Sequence, residues 1–138
     1  MGLDVSHDAF SGAYSSFNRF RQAIAKAMGG SFPPHEKDAT TPAGEPLHQG
    51  MWYWGDGFSR ETHPGLFCLL AHSDCDGEIS REDCGRIVEE LEPLLPALDA
   101  MGLGSGHIER GGGFGAVARR FVEGCVTAFE ANEPLVFS

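Results

Sequence analysis

Residues 3–28, LDVSHDAFSGAYSSFNRFRQAIAKAM, change their period part-way along, and that change decides the fold class. Leu3 and Val5 alternate with Asp4 and Ser6, the two-residue period of a short strand with one buried face. Beyond it Phe10, Ala13, Phe17, Phe20, Ile24 and Met28 recur at spacings of three and four, which predicts an amphipathic helix opening at Ser11 and Gly12. Gly29 and Gly30 stop it. Arg19, Arg21 and Lys26 leave from the other faces, so this helix is the most basic part of an acidic chain.

The other end of the chain reverses the order. Val117, Phe121, Cys125, Ala128 and Phe129 form one face of a last helix, with Arg119, Arg120 and Glu123 turned to water. Pro134 ends it, and Leu135-Val136-Phe137 predict a closing strand beside the first one. Between these ends, Pro64 suits the first position of a helix running to His72. Ser80 suits the cap of another, with Asp83 approximating its capping-box partner and Cys84, Ile87, Val88, Leu91 and Leu95 as its buried stripe. Pro93 and Pro96 end or kink that helix. Residues 29–50, rich in Gly, Pro and Thr, and the glycine-rich residues 102–114 read as flexible loops. Trp52, Tyr53 and Trp54 read as a short strand or an aromatic wall. There is no internal repeat. The sum is a single α+β domain over residues 1–138, about four helices on a small sheet formed largely by the N- and C-terminal strands.

Composition narrows the function classes. The 138 residues are 41% hydrophobic and 22% charged, ordinary values for a globular domain. A net charge of −10 opposes any broad nucleic-acid or anionic-membrane surface, but leaves room for a small phosphorylated ligand held by a few arginines. Apolar runs fall far short of the roughly 20 residues that cross a bilayer, and no basic segment leads a long apolar one at the start. A cytoplasmic protein with reduced thiols at Cys68, Cys75, Cys84 and Cys125 is the expectation.

Residues 72–80, HSDCDGEIS, are the densest polar motif. With Gly77 at position 6 of an EF-hand loop, Asp74, Asp76, Ile79 and Ser80 fall at 3, 5, 8 and 9. The ends disagree: His72 stands at position 1, where a hard cation wants a carboxylate, and Asp83 replaces the long glutamate at 12. His72 and Cys75 have the spacing of two zinc ligands, but no fourth ligand is evident, and Cys68 and Cys84 fall on apolar faces. The plain alternative is an Asx-rich turn between helices with Gly77 at positive φ, and a further one is that His72, Asp74 and Asp76 line a ligand pocket. At the N-terminal junction, Ser11 or Asp8 caps the helix or adds to an anion site made by its first amides, and His7 with Asp4 or Asp8 is a candidate acid–base pair. The stretch GGGFG (111–115) lacks the Lys-Ser/Thr of a phosphate loop and reads as a linker.

The segments MGLDVSH (1–7), GAYSSFNRFR (12–21), HSDCDGEI (72–79) and a last helix ending in Glu133-Pro134 with a short apolar tail resemble a family of small, functionally uncharacterised phage and prophage proteins. The resemblance covers the first 25 residues, about 66–95 and the last 20, with the loops between them free to vary. It implies a phage-encoded protein in the cytoplasm of a bacterial host cell, and a site shared by His7, Ser11, Tyr14, His72, Asp74 and Asp76.

The leading expectation is a small-ligand-binding protein, with a nucleotide-derived host immune signal as the most concrete ligand and counter-defence by sequestration as the role. Arg19 or Arg21 would then neutralise phosphate, Tyr14 or Trp54 would stack on a base, and Asp74 or Asp76 would accept ribose hydroxyls. The alternatives are a metal-dependent hydrolase of a nucleotide or phosphoester built on His7, His72, Asp74 and Asp76, an EF-hand-like calcium domain using His72, Asp74, Asp76 and Asp83, and a protein-interaction domain. Calcium, magnesium and zinc are the divalent metals these alternatives carry. Binding is favoured over catalysis, and a homo-oligomer stays open.

Overall fold

The structure, a computed structural model, describes residues 2–33, 38, 40, 43–47, 52, 53, 58–73, 75–104 and 106–138. Trp54 and Asp74 lie outside these described residues. The chain runs β1 (Gly2–Val5), β2 (Phe10–Ala13), α1 (Tyr14–Ala27), α2 (Pro64–Ala71), β3 (Gly77–Ile79), α3 (Arg81–Leu91), a 3₁₀ turn (Glu92–Leu94), α4 (Leu95–Ala100), α5 (His107–Arg110), α6 (Phe114–Glu130) and β4 (Leu135–Phe137). This is the expected α+β class.

The helix predicted from Ser11 starts later. Residues 10–13 form a strand instead, paired antiparallel with β1 from Val5↔Phe10 to Gly2↔Ala13. The turn that makes this possible is Ser6–Ala9. Ala9 N–H donates to Ser6 O at 3.2 Å, and His7 and Asp8 both take left-handed φ, 57° and 60°. Two successive left-handed residues are what a tight two-residue hairpin turn requires, and His and Asp are among the few non-glycine residues that tolerate that region. Phe10 faces the core from the strand in nearly the phase that the helix of Phe17 and Phe20 would give it, which hides the break in sequence.

The antiparallel sheet has the order β2-β1-β4-β3. β4 lies beside β1 as expected, and Phe137 is opposite both Val5 of β1 and Gly77 of β3. The third strand, inside the acidic segment, is an addition to the sequence reading. Inward residues of the sheet, Leu3, Val5, Phe10, Ile79, Leu135 and Phe137, meet α1 and α6 in a continuous core. Its centre is aromatic: Phe17 lies 5.1 Å from Phe10, 6.1 Å from Phe20 and 5.6 Å from Phe137, ring centre to ring centre. Such edge-on and tilted contacts add to the area these rings bury.

α2 begins at Pro64 as predicted, but its cap is distant. The Glu90 carboxylate of α3 accepts from Gly65 N–H at 2.9 Å and Leu66 N–H at 3.0 Å. The two helices approach so closely that a Cβ on Gly65 would stand 2.6 Å from the Ile87 nitrogen. Ser80 caps α3, accepting from Asp83 N–H at 3.2 Å. Asp83 does not return the bond; its carboxylate holds Arg86 at 2.7 Å. Pro93 and Pro96 stand in the first positions of the 3₁₀ turn and α4, so they bend the chain and restart it. Within the glycine-rich 102–114, α5 buries Ile108 fully. Phe129, expected on the core face, is 38% exposed and lies beneath the Arg81 guanidinium at 3.8 Å.

Candidate functional site

The polar residues singled out in sequence separate into three groups. The first surrounds the hairpin turn. Ser11 lies in β2, not at a helix start, and its hydroxyl donates to Asp4 at 2.8 Å on the solvent face of the sheet. His7 contacts Ser6 Oγ through Nδ1 at 2.9 Å and Glu133 through Nε2 at 3.3 Å. Asp8 receives Arg120 twice, 2.6 Å at its carbonyl and 2.8 Å at its carboxylate. α6 passes so near this turn that a Cβ on Gly124 would stand 2.3 Å from that of Ala9. These contacts fasten the turn to α6. They pair His7 with Glu133 rather than with Asp4 or Asp8.

The second group is the acidic segment. His72 stacks on Phe137 with ring centres 4.2 Å apart. Its Nδ1 lies 2.8 Å from Ser73 O and its Nε2 3.1 Å from Glu78 O. A carbonyl only accepts, so the neutral ring donates to one of the two oxygens and turns the lone pair of its other nitrogen toward the second. Gly77 takes φ 92°, as the turn reading expects, and a Cβ there would approach the His72 ring at 3.4 Å. Asp76 is exposed, with its amide 3.4 Å from Ser73 Oγ. Among the described residues no three His, Cys, Asp or Glu side chains gather as a metal set. The arrangement of His72, Asp76, Ser80 and Asp83 is that of a strand-forming turn closed by an imidazole. Asp4 and Ser11 occupy the solvent face of the sheet, whereas His72 rests on the core-facing ring of Phe137.

Arg21 belongs to this second group structurally. It is 5% exposed, lies between the rings of Phe17 (4.9 Å) and Phe32 (5.1 Å), and donates to the carbonyls of Leu70 (3.3 Å) and His72 (2.6 Å). It therefore caps the C-terminus of α2, where a cation is favoured by the unpaired carbonyls.

The third group lies at the start of α1. Tyr14 is its first residue, half-buried against the core. α1 has neither a side-chain cap nor an acidic residue in its first turn. Arg19 donates from Nη2 to Ser16 Oγ at 3.0 Å, while its Nε is shut from solvent without an acceptor among the described groups. Ser16 Oγ lies 3.5 Å from His107 Nδ1, which also accepts the Ala13 N–H at 3.3 Å. Neither Ser16 nor His107 carried a sequence signal. His107 sits alone in a glycine run and reaches α1 only through the tertiary fold.

Elsewhere, an open groove of about 370 Å³ is lined by Glu92, Leu95, Arg119, Val122 and Glu123, none of them predicted as site residues. Arg119 is engaged there by Asp99, with one contact at 2.7 Å, and its guanidinium holds the Asp99 carboxyl below the usual carboxylate range. Burial, reinforced by the Asp83 carboxylate, pushes the Cys68 thiol up to about 11. Cys125 is raised by its hydrogen bond with Cys84 and by burial. All four cysteines are free thiols. No helix of the described residues is long and apolar enough to cross a membrane. No family model, curated protein or solved structure matches the chain.

Proposed function

We propose that this chain is a binding protein for a small anionic ligand, held at the start of α1 with Arg19 as its anchor. The observation that carries this reading is the state of the arginines. Arg21, Arg81 and Arg110 donate to carbonyls, Arg86 and Arg119 to carboxylates, and Arg120 to both. Among the described residues Arg60 lies over the Phe67 ring at 5.0 Å, while Arg19 has only a neutral serine oxygen and a buried Nε without an acceptor. A guanidinium with no counter-charge, beside helix amides that lack an acidic neighbour, favours an anion from outside.

Tyr14, five residues before Arg19 at the start of α1, offers a ring for a base, which makes a nucleotide the leading ligand class. The resemblance to phage proteins extends this to a host immune nucleotide removed by sequestration. Binding is favoured over metal-dependent hydrolysis because both His72 nitrogens face carbonyls. The test is isothermal titration and native mass spectrometry with mono-, di- and cyclic nucleotides on the wild type and Arg19→Gln. A retained or titrated nucleotide whose affinity falls at least tenfold in Arg19→Gln supports the reading. No binding by the wild type, or undiminished binding by Arg19→Gln, removes it.

A further inference from the structure

We infer that Ser6, in the hairpin turn between β1 and β2, is a nucleophile that takes an acyl group from an ester, with His7 as its base. It involves none of the residues of the anion site proposed above. Three contacts order the protons. A carboxylate only accepts, so the Glu133 oxygen 3.3 Å from His7 Nε2 places the proton of the neutral ring on that nitrogen. His7 Nδ1 is then the lone-pair nitrogen, and the donor it meets is the Ser6 hydroxyl, 2.9 Å away. Ser6 Oγ also accepts the Val136 N–H at 2.8 Å, which holds the oxygen in place and leaves its own hydrogen for the ring. A hydroxyl bonded to a base that a third group orients is the arrangement that activates a serine.

The turn is tied down around this relay. Ser6 N–H donates to Val136 O at 2.8 Å, and Ala9 N–H to Ser6 O at 3.2 Å. Arg120 grips Asp8 by both its carbonyl and its carboxylate. His7 and Asp8 keep left-handed φ without being glycine, a strain that persists only where the surroundings impose it and that gathers at functional sites. Ser6 and His7 are half-buried rather than sealed, so a small ester reaches them from solvent. In the reaction Ser6 Oγ attacks the ester carbonyl carbon, and its proton passes to His7 Nδ1. The tetrahedral adduct then collapses. The bond from carbon to the leaving oxygen breaks, and His7 hands that proton to the departing alcohol. Water repeats the sequence, releasing the acid and restoring the hydroxyl. Ser6 and His7 are the catalytic residues. Glu133 is a positioning residue, which selects the Nε2–H form and pairs with the ring while it is charged.

The test follows nitrophenolate release from p-nitrophenyl acetate at pH 8, with acetylated peptides mapped by mass spectrometry after an acid quench. All proteins carry Cys75→Ser, because that exposed thiol would itself take the acetyl group. The acetyl group is expected on Ser6. Release is expected to fall at least about tenfold in Ser6→Ala and in His7→Asn, within the share a general base supplies. Asparagine is chosen because it tolerates the left-handed turn. Imidazole ¹⁵N spectra at the same pH separate a base from a mere fastener. The His7 ring is expected as the Nε2–H form, and in Glu133→Ala the Nδ1–H form is expected to appear while release slows. Acetyl on other side chains but not on Ser6, or release unchanged in Ser6→Ala or in a folded His7→Asn, overturns the inference. So does a His7 ring protonated on Nδ1 before any substitution at Glu133, or a Glu133→Ala variant with unchanged tautomer and rate. If His7→Asn fails to fold, the Ser6→Ala rates and the ring spectra decide.

Discussion

Arg19 and Arg21 sit two positions apart on α1 and have opposite relations to the fold. Arg21 is buried and supplies donors to the end of α2; Arg19 stands beside a neutral serine. In sequence they were equivalent candidates for a phosphate, because what separates them is the position of α2, a segment some fifty residues away. Arg21→Met keeps the aliphatic packing but strands buried carbonyls, and should cost about 2–3 kcal/mol. Arg19→Gln should stay within about 0.5 kcal/mol of wild type. Urea unfolding of the two variants checks this, and similar midpoints would contradict the roles given to them. Thiol chemistry offers a second check at this scale. Cys68 is raised from 9.0 to about 11 by burial and by Asp83, so the folded state keeps a proton that the unfolded chain begins to lose near pH 9. That contribution is fully present below the unfolded value and is lost as pH rises through the folded one. The stability of the wild type should therefore decline between about pH 9 and 11. In Cys68→Ala the decline should be shallower, and chemical denaturation across that range measures it; parallel curves would refute it.

At the scale of elements, local signals were legible and distant ones were not. Pro64 and Ser80 mark the starts of α2 and α3 by chemistry confined to a few neighbouring residues. The side chain that completes the start of α2 is Glu90, separated from Gly65 by 25 positions, and no local rule finds it. The His7-Asp8 turn failed for a different reason. It lacks the glycine that announces a tight hairpin, and the apolar spacing from Phe10 to Phe17 fits a helix as well as a strand. The HSDCDGEIS segment has the sequence pattern of a loop because β3 is three residues long and owes its existence to β4. Glu90 also gives a measurable consequence. Its carboxylate satisfies two amides and places negative charge at the positive end of α2. Glu90→Ala should cost about 1–2 kcal/mol, the range of a lost helix cap. Hydrogen exchange of Gly65 and Leu66 should quicken more than that of α6, whereas uniform quickening would mean that the cap has no local role.

For the whole molecule, the sheet order joins segments that are far apart in the chain. β4 lies between β1 and β3, so the hairpin at one end and the turn in the middle are held together by three residues near the other end. Sequence pattern suggested that the terminal strands meet, since each is a short apolar alternation next to an amphipathic helix. It gave no register and no third strand, because those follow from Phe137. That residue is 2% exposed, opposite Val5 and Gly77 at once, 5.6 Å from the Phe17 ring and 4.2 Å from that of His72. Truncation to alanine removes a large buried ring from the junction, a loss of about 3–5 kcal/mol. Against a total stability of about 5–15 kcal/mol, that leaves a weakened but measurable protein. The pattern of loss tests the topology more sharply than its size. In Phe137→Ala the amides of β3 and those joining β1 to β4 should lose exchange protection together, because they share one support. The β1–β2 ladder, closed by its own turn at Ser6–Ala9, should keep more of its protection. If β3 remained protected while the β1–β2 ladder opened, β4 would not be the strand on which the sheet depends.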